Sequence, residues 1–299
     1  MKNLPTVIVT GSSGLVGSSL VSYFSGLGFK VRAFQRSAPK RKLESVEFYP
    51  FDLNDVQDNG FVGADYLIHC AYRPIISKKE RESGNNVDLE GTKKIIALAR
   101  KHGVKLIFLS STSAHSDALS FYAKNKLQME GLFDTEKDLV LKLGLVIGEG
   151  GGLFGRIVAS LNNFKLVPLV GGGRQHIQTL ALDDLCRIIE TAIKKNITGK
   201  FMIAHPAVVT MEEIYRRTAD HIGAKPLFIP VPTNITHQSL KIIEQLGLTL
   251  PFTAENVLGL KDMGTFDTAP GLDVFGLELK DFQTTLNQLN FCKVLNHGK

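Results

Sequence analysis

Short apolar runs and stretches of helical periodicity alternate along the first half of the chain. Five apolar runs rich in β-branched residues predict strands, at Thr6–Val9, Lys30–Phe34, Tyr66–His69, Lys105–Leu109 and Leu139–Ile147. Apolar positions three and four residues apart predict helices between them, at Leu15–Leu27, Thr92–His102 and Tyr122–Leu132. Continuously apolar strands are buried on both faces, and parallel strands need helical crossovers. The pattern therefore predicts an α/β fold built on a doubly wound parallel sheet.

The pattern changes near residue 150, where glycine-rich turns interrupt it. A helix near Asp183–Lys194 and a strand near Phe201–Ile203 then resume it, and the sequence is mixed from Pro206 onward. We predict a larger domain and a smaller C-terminal substrate lobe that closes over the strand ends. The predicted domain covers residues 1–150, with 180–205 returning to it, and the lobe covers residues 151–179 and 206–299.

A glycine-rich loop directly follows the first predicted strand. Its glycines, Gly11, Gly14 and Gly17, recur every third residue and open a predicted helix. Glycine permits a tight turn and lets the backbone approach a pyrophosphate, while the helix N-terminus offers N–H groups and a positive dipole end. We therefore predict that this loop binds a dinucleotide in a Rossmann-like domain. The predicted contacts are Gly11, Ser13, Gly14, Leu15, Val16 and Gly17.

The spacing of these glycines resembles that of the short-chain dehydrogenase/reductase superfamily. Further motifs resemble its extended branch, the NAD(P)-dependent epimerases and dehydratases of nucleotide sugars. They are Asp52-Leu53, His69-Cys70-Ala71, Gly91-Thr92 and the strand that ends at Ser110-Ser111. The resemblance implies that Asp52 and Leu53 contact the adenine and that Ala71 lies beside the cofactor. One departure is Asp88, which occupies the place where the family has Asn, three residues before Gly91.

The end of the second predicted strand bears on which dinucleotide binds. NAD enzymes usually place Asp or Glu here for the ribose 2′-OH, whereas Arg accommodates a 2′-phosphate. No acid occurs from Lys30 to Leu43, and Arg36 is positioned for a phosphate. Residues 30–42 contain six basic side chains, and the other Lys and Arg equal the 29 Asp and Glu in number, so this segment carries the net charge of +6. We predict NADP as the cofactor, with NAD as the alternative.

Tyr122 and Lys126 form a Tyr-x-x-x-Lys pair at the start of a predicted helix. One helical turn places both side chains on one face, so the ammonium can lower the pKa of the phenol. The resemblance implies that Tyr122 is the general acid/base, that Lys126 tunes it and contacts the nicotinamide ribose, and that Ser111 polarises the substrate. Ser110, Thr112 and Ser113 are the alternatives to Ser111.

The resemblance implies hydride transfer to or from a nucleotide-activated sugar. Thr112-Ser113 stand where the 4,6-dehydratases have Asp-Glu, which leaves a 4-ketoreductase or a 4-epimerase. His115 and Arg174 are candidate substrate contacts. Arg174 bears on the nucleotide because Ile177 occupies the place of the family's pyrophosphate-binding Arg. Two alternatives stay open: a non-catalytic dinucleotide-binding structural or regulatory protein, and a reductase of a non-nucleotide carbonyl compound.

Composition excludes several other classes of protein. The net charge lies in the one segment where a 2′-phosphate would sit, which argues against nucleic-acid binding, and no apolar run approaches a membrane span. Three widely spaced cysteines without a Cys-x-x-Cys pair argue against a zinc site or a disulfide framework and predict a cytoplasmic protein without a metal. The resemblance is compatible with a homodimer.

Overall fold

A computed structural model describes residues 4–39, 43–73, 86–232, 258–259, 261 and 263–291. The strands are β1 Thr6–Thr10, β2 Lys30–Gln35, β3 Val46–Pro50, β4 Tyr66–His69, β5 Lys105–Ser111, β6 Leu139–Leu143, β7 Leu145–Ile147, β8 Leu166–Val170, β9 His176–Ala181, β10 Gly199–Ile203, β11 Val208–Thr210 and β12 Leu227–Val231. The helices are α1 Leu15–Gly26, α2 Val87–His102, α3 Phe121–Glu130, α4 Gly152–Asn163, α5 Leu182–Lys195, α6 Met211–Ile222, α7 Ala269–Phe275 and α8 Phe282–Gln288.

The largest sheet has seven strands in the order β10-β6-β5-β4-β1-β2-β3. The pairings from β3 through β1 to β5 are parallel. The chain moves from β1 toward β3 and then returns to β4 on the other side of β1, so the sheet is doubly wound. This order confirms the predicted α/β class with a Rossmann-like sheet. Smaller sheets join β11-β9-β7 and β12-β8.

The chain divides into two compact units. The first unit comprises Met1–Ser110, Asn125–Lys142 and Leu185–Phe201. Its core is apolar and rich in phenylalanine, and it includes the fully buried Phe61, Leu67 and Phe108. The second unit comprises Ser111–Lys124, Leu143–Asp184 and Met202–Lys299, with a separate core around Phe154, Ile214 and Leu286. Each unit therefore has its own buried apolar centre.

Several predicted bounds differ from the structure by one or two residues, and two predicted elements differ more. Helix α2 begins at Val87, five residues before the predicted start, because the Asn86 side chain accepts a hydrogen bond from the Leu89 N–H and caps the helix. The predicted strand Leu139–Ile147 is two strands, β6 and β7, divided at Gly144. A Cβ on Gly144 would lie 2.4 Å from the Gln178 carbonyl oxygen. This close approach requires glycine, and it marks the point where the chain leaves the seven-stranded sheet.

Candidate functional site

At two positions of the glycine turn between β1 and α1, a side chain would clash with the neighbouring backbone. Gly11 has φ +65°, and a Cβ there would lie 2.8 Å from the Ala71 Cα. A Cβ on Gly17 would lie 2.3 Å from the Gly11 carbonyl oxygen, well inside van der Waals contact. The turn therefore keeps its shape only with glycine at both positions.

The start of helix α1 fits an anionic ligand. Its N-cap residue is Gly14, which has no side chain to occupy the first N–H groups, and its first turn contains no acid. Ser13 and Gly14 are exposed, Leu15 and Val16 are half-buried, and Gly17 is buried in the first turn. The residues predicted to hold a dinucleotide thus form a bare helix N-terminus of the kind that binds phosphate.

The end of β2 carries amide and guanidinium groups and no carboxylate. The Gln35 side chain accepts a 2.8 Å hydrogen bond from the Ser12 hydroxyl, and Arg36 is exposed. The pKa of Asp52 is lowered, first by a hydrogen bond from the Asn54 backbone N–H and less by the charge of Arg36. Arg36 and Asp52 therefore lie within electrostatic reach of each other. The basic residues Lys40, Arg41 and Lys42 lie outside the described residues.

Leu53 and Ala71 are buried in the first unit, at 8% exposure each. A Cβ on Gly91 would lie 2.7 Å from the Leu53 carbonyl oxygen. Helix α2 consequently approaches the Asp52-Leu53 segment at a distance that only glycine allows. The Gly91-Thr92 motif and the Asp52-Leu53 motif are thus in direct contact.

In the second unit, Ser111 and Tyr122 lie together. Their side chains form a hydrogen bond, which lowers the pKa of the Tyr122 phenol, whereas desolvation has the larger effect and raises it overall. The Ser111 and Ser113 hydroxyl oxygens lie 2.9 Å apart, and the Ser113 N–H also donates to Ser111 Oγ at 3.2 Å. Taken as a whole residue, Tyr122 retains 37% exposure.

The alternatives to Ser111 have other partners. Ser110 is buried and donates to the Glu130 carboxylate within the first unit. The Thr112 hydroxyl donates to the Leu143 carbonyl oxygen at 3.3 Å, which anchors the chain after β5. Ser111 is therefore the hydroxyl that bonds to Tyr122.

The two candidate substrate residues lie in the second unit. His115 is half-buried, and its backbone N–H donates to the Ser113 carbonyl oxygen at 3.1 Å. Arg174 is exposed and follows the short 3₁₀ turn Gly171–Gly173. Ile177, by contrast, is 2% exposed and lies in the apolar core of its unit. Position 177 therefore contributes to packing.

Lys126 is buried in the first unit, one helical turn after Tyr122 along α3. Its ammonium donates a 2.8 Å hydrogen bond to the Leu109 carbonyl oxygen. The rings of Tyr72 and Phe108 flank the same ammonium, with centroids at 5.2 and 4.7 Å. Burial lowers the pKa of Lys126 to about 8. The ammonium is thus hydrogen-bonded and poorly solvated.

A hydrogen-bonded chain around His69 was not anticipated from the sequence. The Thr92 hydroxyl donates to the Asp88 carbonyl oxygen at 2.6 Å, so it accepts from His69 Nε2–H at 3.0 Å. Nδ1 therefore accepts from the Thr10 hydroxyl at 2.8 Å. Burial lowers the pKa of His69 to about 3 and keeps the ring neutral. This network ties the ends of β1 and β4 to helix α2.

The described part of the chain contains neither a candidate membrane-spanning helix nor a candidate metal-binding cluster. None of its helices has both the length and the apolar character that crossing a membrane requires. No group of three or more His, Cys, Asp or Glu side chains there is arranged to hold a metal ion.

Sequence comparison finds distant relatives. UDP-glucuronic acid decarboxylase 1 of Arabidopsis thaliana is 22% identical over 244 residues, which cover 70% of this chain. The chain spans about half of that relative, 56% of its length, and about a quarter of some other curated relatives.

Comparison with solved structures finds proteins of the same fold. MoeE5 in complex with UDP-glucuronic acid and NAD has a TM-score of 0.71 at 18% identity, covering 94% of this chain and 96% of its own. The Thermus thermophilus UDP-glucose 4-epimerase complex with NAD has a TM-score of 0.67 at 19% identity, with the same coverage. At these identities the similarity establishes the fold.

A family model described as the NAD dependent epimerase/dehydratase family matches residues 7–204. The match includes the glycine turn, Ser111, Tyr122 and Lys126, and it confirms the predicted epimerase/dehydratase family. The chain belongs to the NAD dependent epimerase/dehydratase family.

Proposed function

We propose that this chain is an NADP(H)-dependent oxidoreductase that acts on a nucleotide-activated sugar, as a 4-ketoreductase or a 4-epimerase. The observation that carries the proposal is the hydrogen-bonded pair Ser111 and Tyr122, followed one helical turn later by the buried Lys126. We infer that the first unit binds the dinucleotide and that the second unit binds the substrate.

The proposed chemistry is acid/base catalysis at the substrate oxygen. When bound, the nicotinamide ring supplies or accepts a hydride. In the reductive direction, the Tyr122 phenol donates its proton to the carbonyl oxygen while the Ser111 hydroxyl donates a hydrogen bond to the same oxygen. Lys126 carries the positive charge that stabilises the resulting phenolate. In the oxidative direction, the Tyr122 phenolate accepts the proton from the carbinol hydroxyl.

The dinucleotide would be held by the glycine turn and the residues near the ends of β2 and β4. Gly11, Gly14 and Gly17 leave the N-terminus of α1 open for the pyrophosphate. The remaining contacts are proposed for Ser13, Leu15, Val16, Asp52, Leu53, Ala71 and Lys126. Exposed Arg36 and the lack of an acid in the described residues Lys30–Pro39 support NADP over NAD.

A nucleotide sugar is the first substrate class to test. It is supported by the family, and by the ligands of MoeE5, which binds UDP-glucuronic acid. Exposed Arg174 and half-buried His115 are the side chains proposed to contact it. A planar guanidinium suits a diphosphate because it can donate two parallel hydrogen bonds.

A reductase of a non-nucleotide carbonyl compound is the second candidate. The burial of Ile177 in the apolar core supports it, because this position cannot bind a pyrophosphate. The two candidates differ in whether binding needs a nucleotide. A thermal-shift screen of UDP-, GDP-, CDP- and dTDP-sugars with NADPH present separates them, since stabilisation by a nucleotide sugar supports the first and no shift with any of them supports the second.

The catalytic assignment is tested with Tyr122→Phe. Turnover of NADPH with a 4-keto nucleotide sugar, or with a simple ketone for the second candidate, should fall at least about 100-fold while NADPH binding persists. Tyr49→Phe is the matched control, because that half-buried phenol donates to the exposed Glu47 at 3.2 Å and has no proposed role in catalysis. Full activity in Tyr122→Phe would refute the assignment and favour a non-catalytic role.

A further inference from the structure

A buried carboxylate stands beside Lys126 and is not explained by helix capping. Asp88, in the first turn of α2, is 2% exposed. Its Oδ1 accepts a 2.7 Å hydrogen bond from the Arg73 backbone N–H, and its Oδ2 accepts from Asn125 Nδ2 at 3.4 Å. Asn86 in turn donates to Asn125 Oδ1 at 2.7 Å. Both of these hydrogen bonds come from neutral groups, while the charges of Lys126 and Arg73 also act on the carboxylate.

Both hydrogen-bond donors are close to Lys126 along the chain or in space. Arg73 follows Tyr72, whose ring lies over the ammonium, so the bond to the Arg73 N–H fixes the segment that carries this ring. Asn125 immediately precedes Lys126 on α3. Asp88 therefore binds both the segment that follows β4 and helix α3, and each of these contributes to the surroundings of the Lys126 ammonium.

The charges around Lys126 come from several elements. Cys70, Asp88 and Glu130 each favour its charged form, from the end of β4, from α2 and from its own helix. His69 is neutral, and Tyr72 presents a ring face. Burial raises the pKa of the Cys70 thiol to about 12, so this group stays uncharged near neutral pH. Asp88 and Glu130 are the carboxylates of the group.

Glu130 has other cationic neighbours. Lys142 and Lys200 each approach its carboxylate at 3.5 Å, and Ser110 donates to it. The charge of Glu130 is therefore largely compensated elsewhere. An amide at position 88 would still accept from the Arg73 N–H without the cost of burying a charge. Compared with asparagine, aspartate at position 88 adds a negative charge.

We propose that Asp88 is a positioning residue for Lys126: it anchors the Arg73 backbone and the Asn125 amide around the ammonium and supplies its buried counter-charge. The proposal rests on the proposed function, in which Lys126 must be charged to stabilise the Tyr122 phenolate. The hydrogen bonds through which Asp88 would act are those to Arg73 and Asn125.

The test measures the charge of Lys126 directly. Protein labelled with ¹³C at the lysine Cε is titrated by NMR without cofactor, and the Lys126 signal is assigned with Lys126→Arg. In Asp88→Asn, the Lys126 midpoint should fall by at least about half a pH unit, a roughly threefold change in proton affinity. Glu90→Gln is the matched control, because Glu90 lies in the same helical turn but is exposed and paired with Lys93. An unchanged midpoint in folded Asp88→Asn overturns the proposal.

A reciprocal measurement covers the case in which Asp88→Asn does not fold. Lys126→Met keeps the buried stem and removes the charge, so the ¹³Cγ titration of Asp88 should move to higher pH by a similar amount, because the coupling between two sites is mutual. No movement refutes the coupling. These titrations need no turnover, so an inactive enzyme with coupled Lys126 and Asp88 would contradict the proposed function alone.

Discussion

The Ser110 hydroxyl donates a 2.5 Å hydrogen bond to the buried carboxylate of Glu130. These residues are twenty positions apart, one at the end of β5 and the other at the end of α3. Glu130 is also the shared partner of Lys142 and Lys200, each at 3.5 Å. The carboxylate thus ties the end of the strand that leads to Ser111 to the helix that carries Lys126.

Replacing Glu130 by glutamine should destabilise the fold. Lys142 is only 9% exposed and would lose its carboxylate, and removing one partner of a buried pair typically costs about 3–5 kcal/mol. Urea denaturation should show this loss in the free energy of unfolding. Glu47→Gln is the control, because its pair with Arg32 involves a carboxylate that is 63% exposed, and it should change stability by less than about 1 kcal/mol. Equal effects of the two substitutions would contradict the buried network.

Gly17→Ala should disrupt the glycine turn. Its Cβ would lie 2.3 Å from the Gly11 carbonyl oxygen, so the turn must shift and the dinucleotide should no longer bind. Fluorescence titration with NADPH measures the loss. Gly26→Ala, in the last turn of the same helix, meets nothing within 4 Å and should bind NADPH normally while gaining up to about 1 kcal/mol of stability. Normal binding by Gly17→Ala would exclude this turn as the phosphate site.

Arg36→Ala should weaken NADPH binding and leave NADH binding nearly unchanged. A guanidinium bonded to a phosphate contributes about 1.5–3 kcal/mol, so the dissociation constant for NADPH should rise roughly 10- to 100-fold. Titrations with both dinucleotides give the ratio. Lys30→Ala removes an exposed base at the other end of β2 and should change neither affinity. If NADH binds more tightly than NADPH to the unmodified chain, NAD is the cofactor.

Stability should depend on pH through His69. Its pKa falls from 6.5 to about 3 on folding, so the unfolded state binds a proton that the native state excludes. The contribution is fully present above pH 6.5 and is lost progressively toward pH 3, by up to about 1.4 kcal/mol per pH unit. His69→Asn is less stable at pH 7, and its deficit should shrink by about 2–3 kcal/mol between pH 6.5 and 4.5. A deficit of His69→Asn that stays constant with pH would show that His69 is not buried in its neutral form.

Local sequence determined the elements that build the nucleotide turn and the Tyr-x-x-x-Lys helix. Glycine at positions 11, 14 and 17 predicts a turn within a single strand-turn-helix unit. The four-residue spacing of Tyr122 and Lys126 corresponds to one helical turn. Both depend on contacts between residues close in the chain, which periodicity and residue type describe directly. The family resemblance also depended on such short motifs.

Tertiary structure alone decided which buried groups surround Lys126 and which positions lie in a core. Asp88 meets the end of β4 and helix α3 because β4 lies between β1 and β5 in the sheet, an order that no local pattern encodes. Ile177 reads as a departure from a motif in the sequence, and only its packing shows it to be core. Gly144 likewise divides a continuous apolar run because of a carbonyl thirty-four residues away. The sequence records residue types along one dimension, whereas burial and charge compensation arise from neighbours brought together by the sheet.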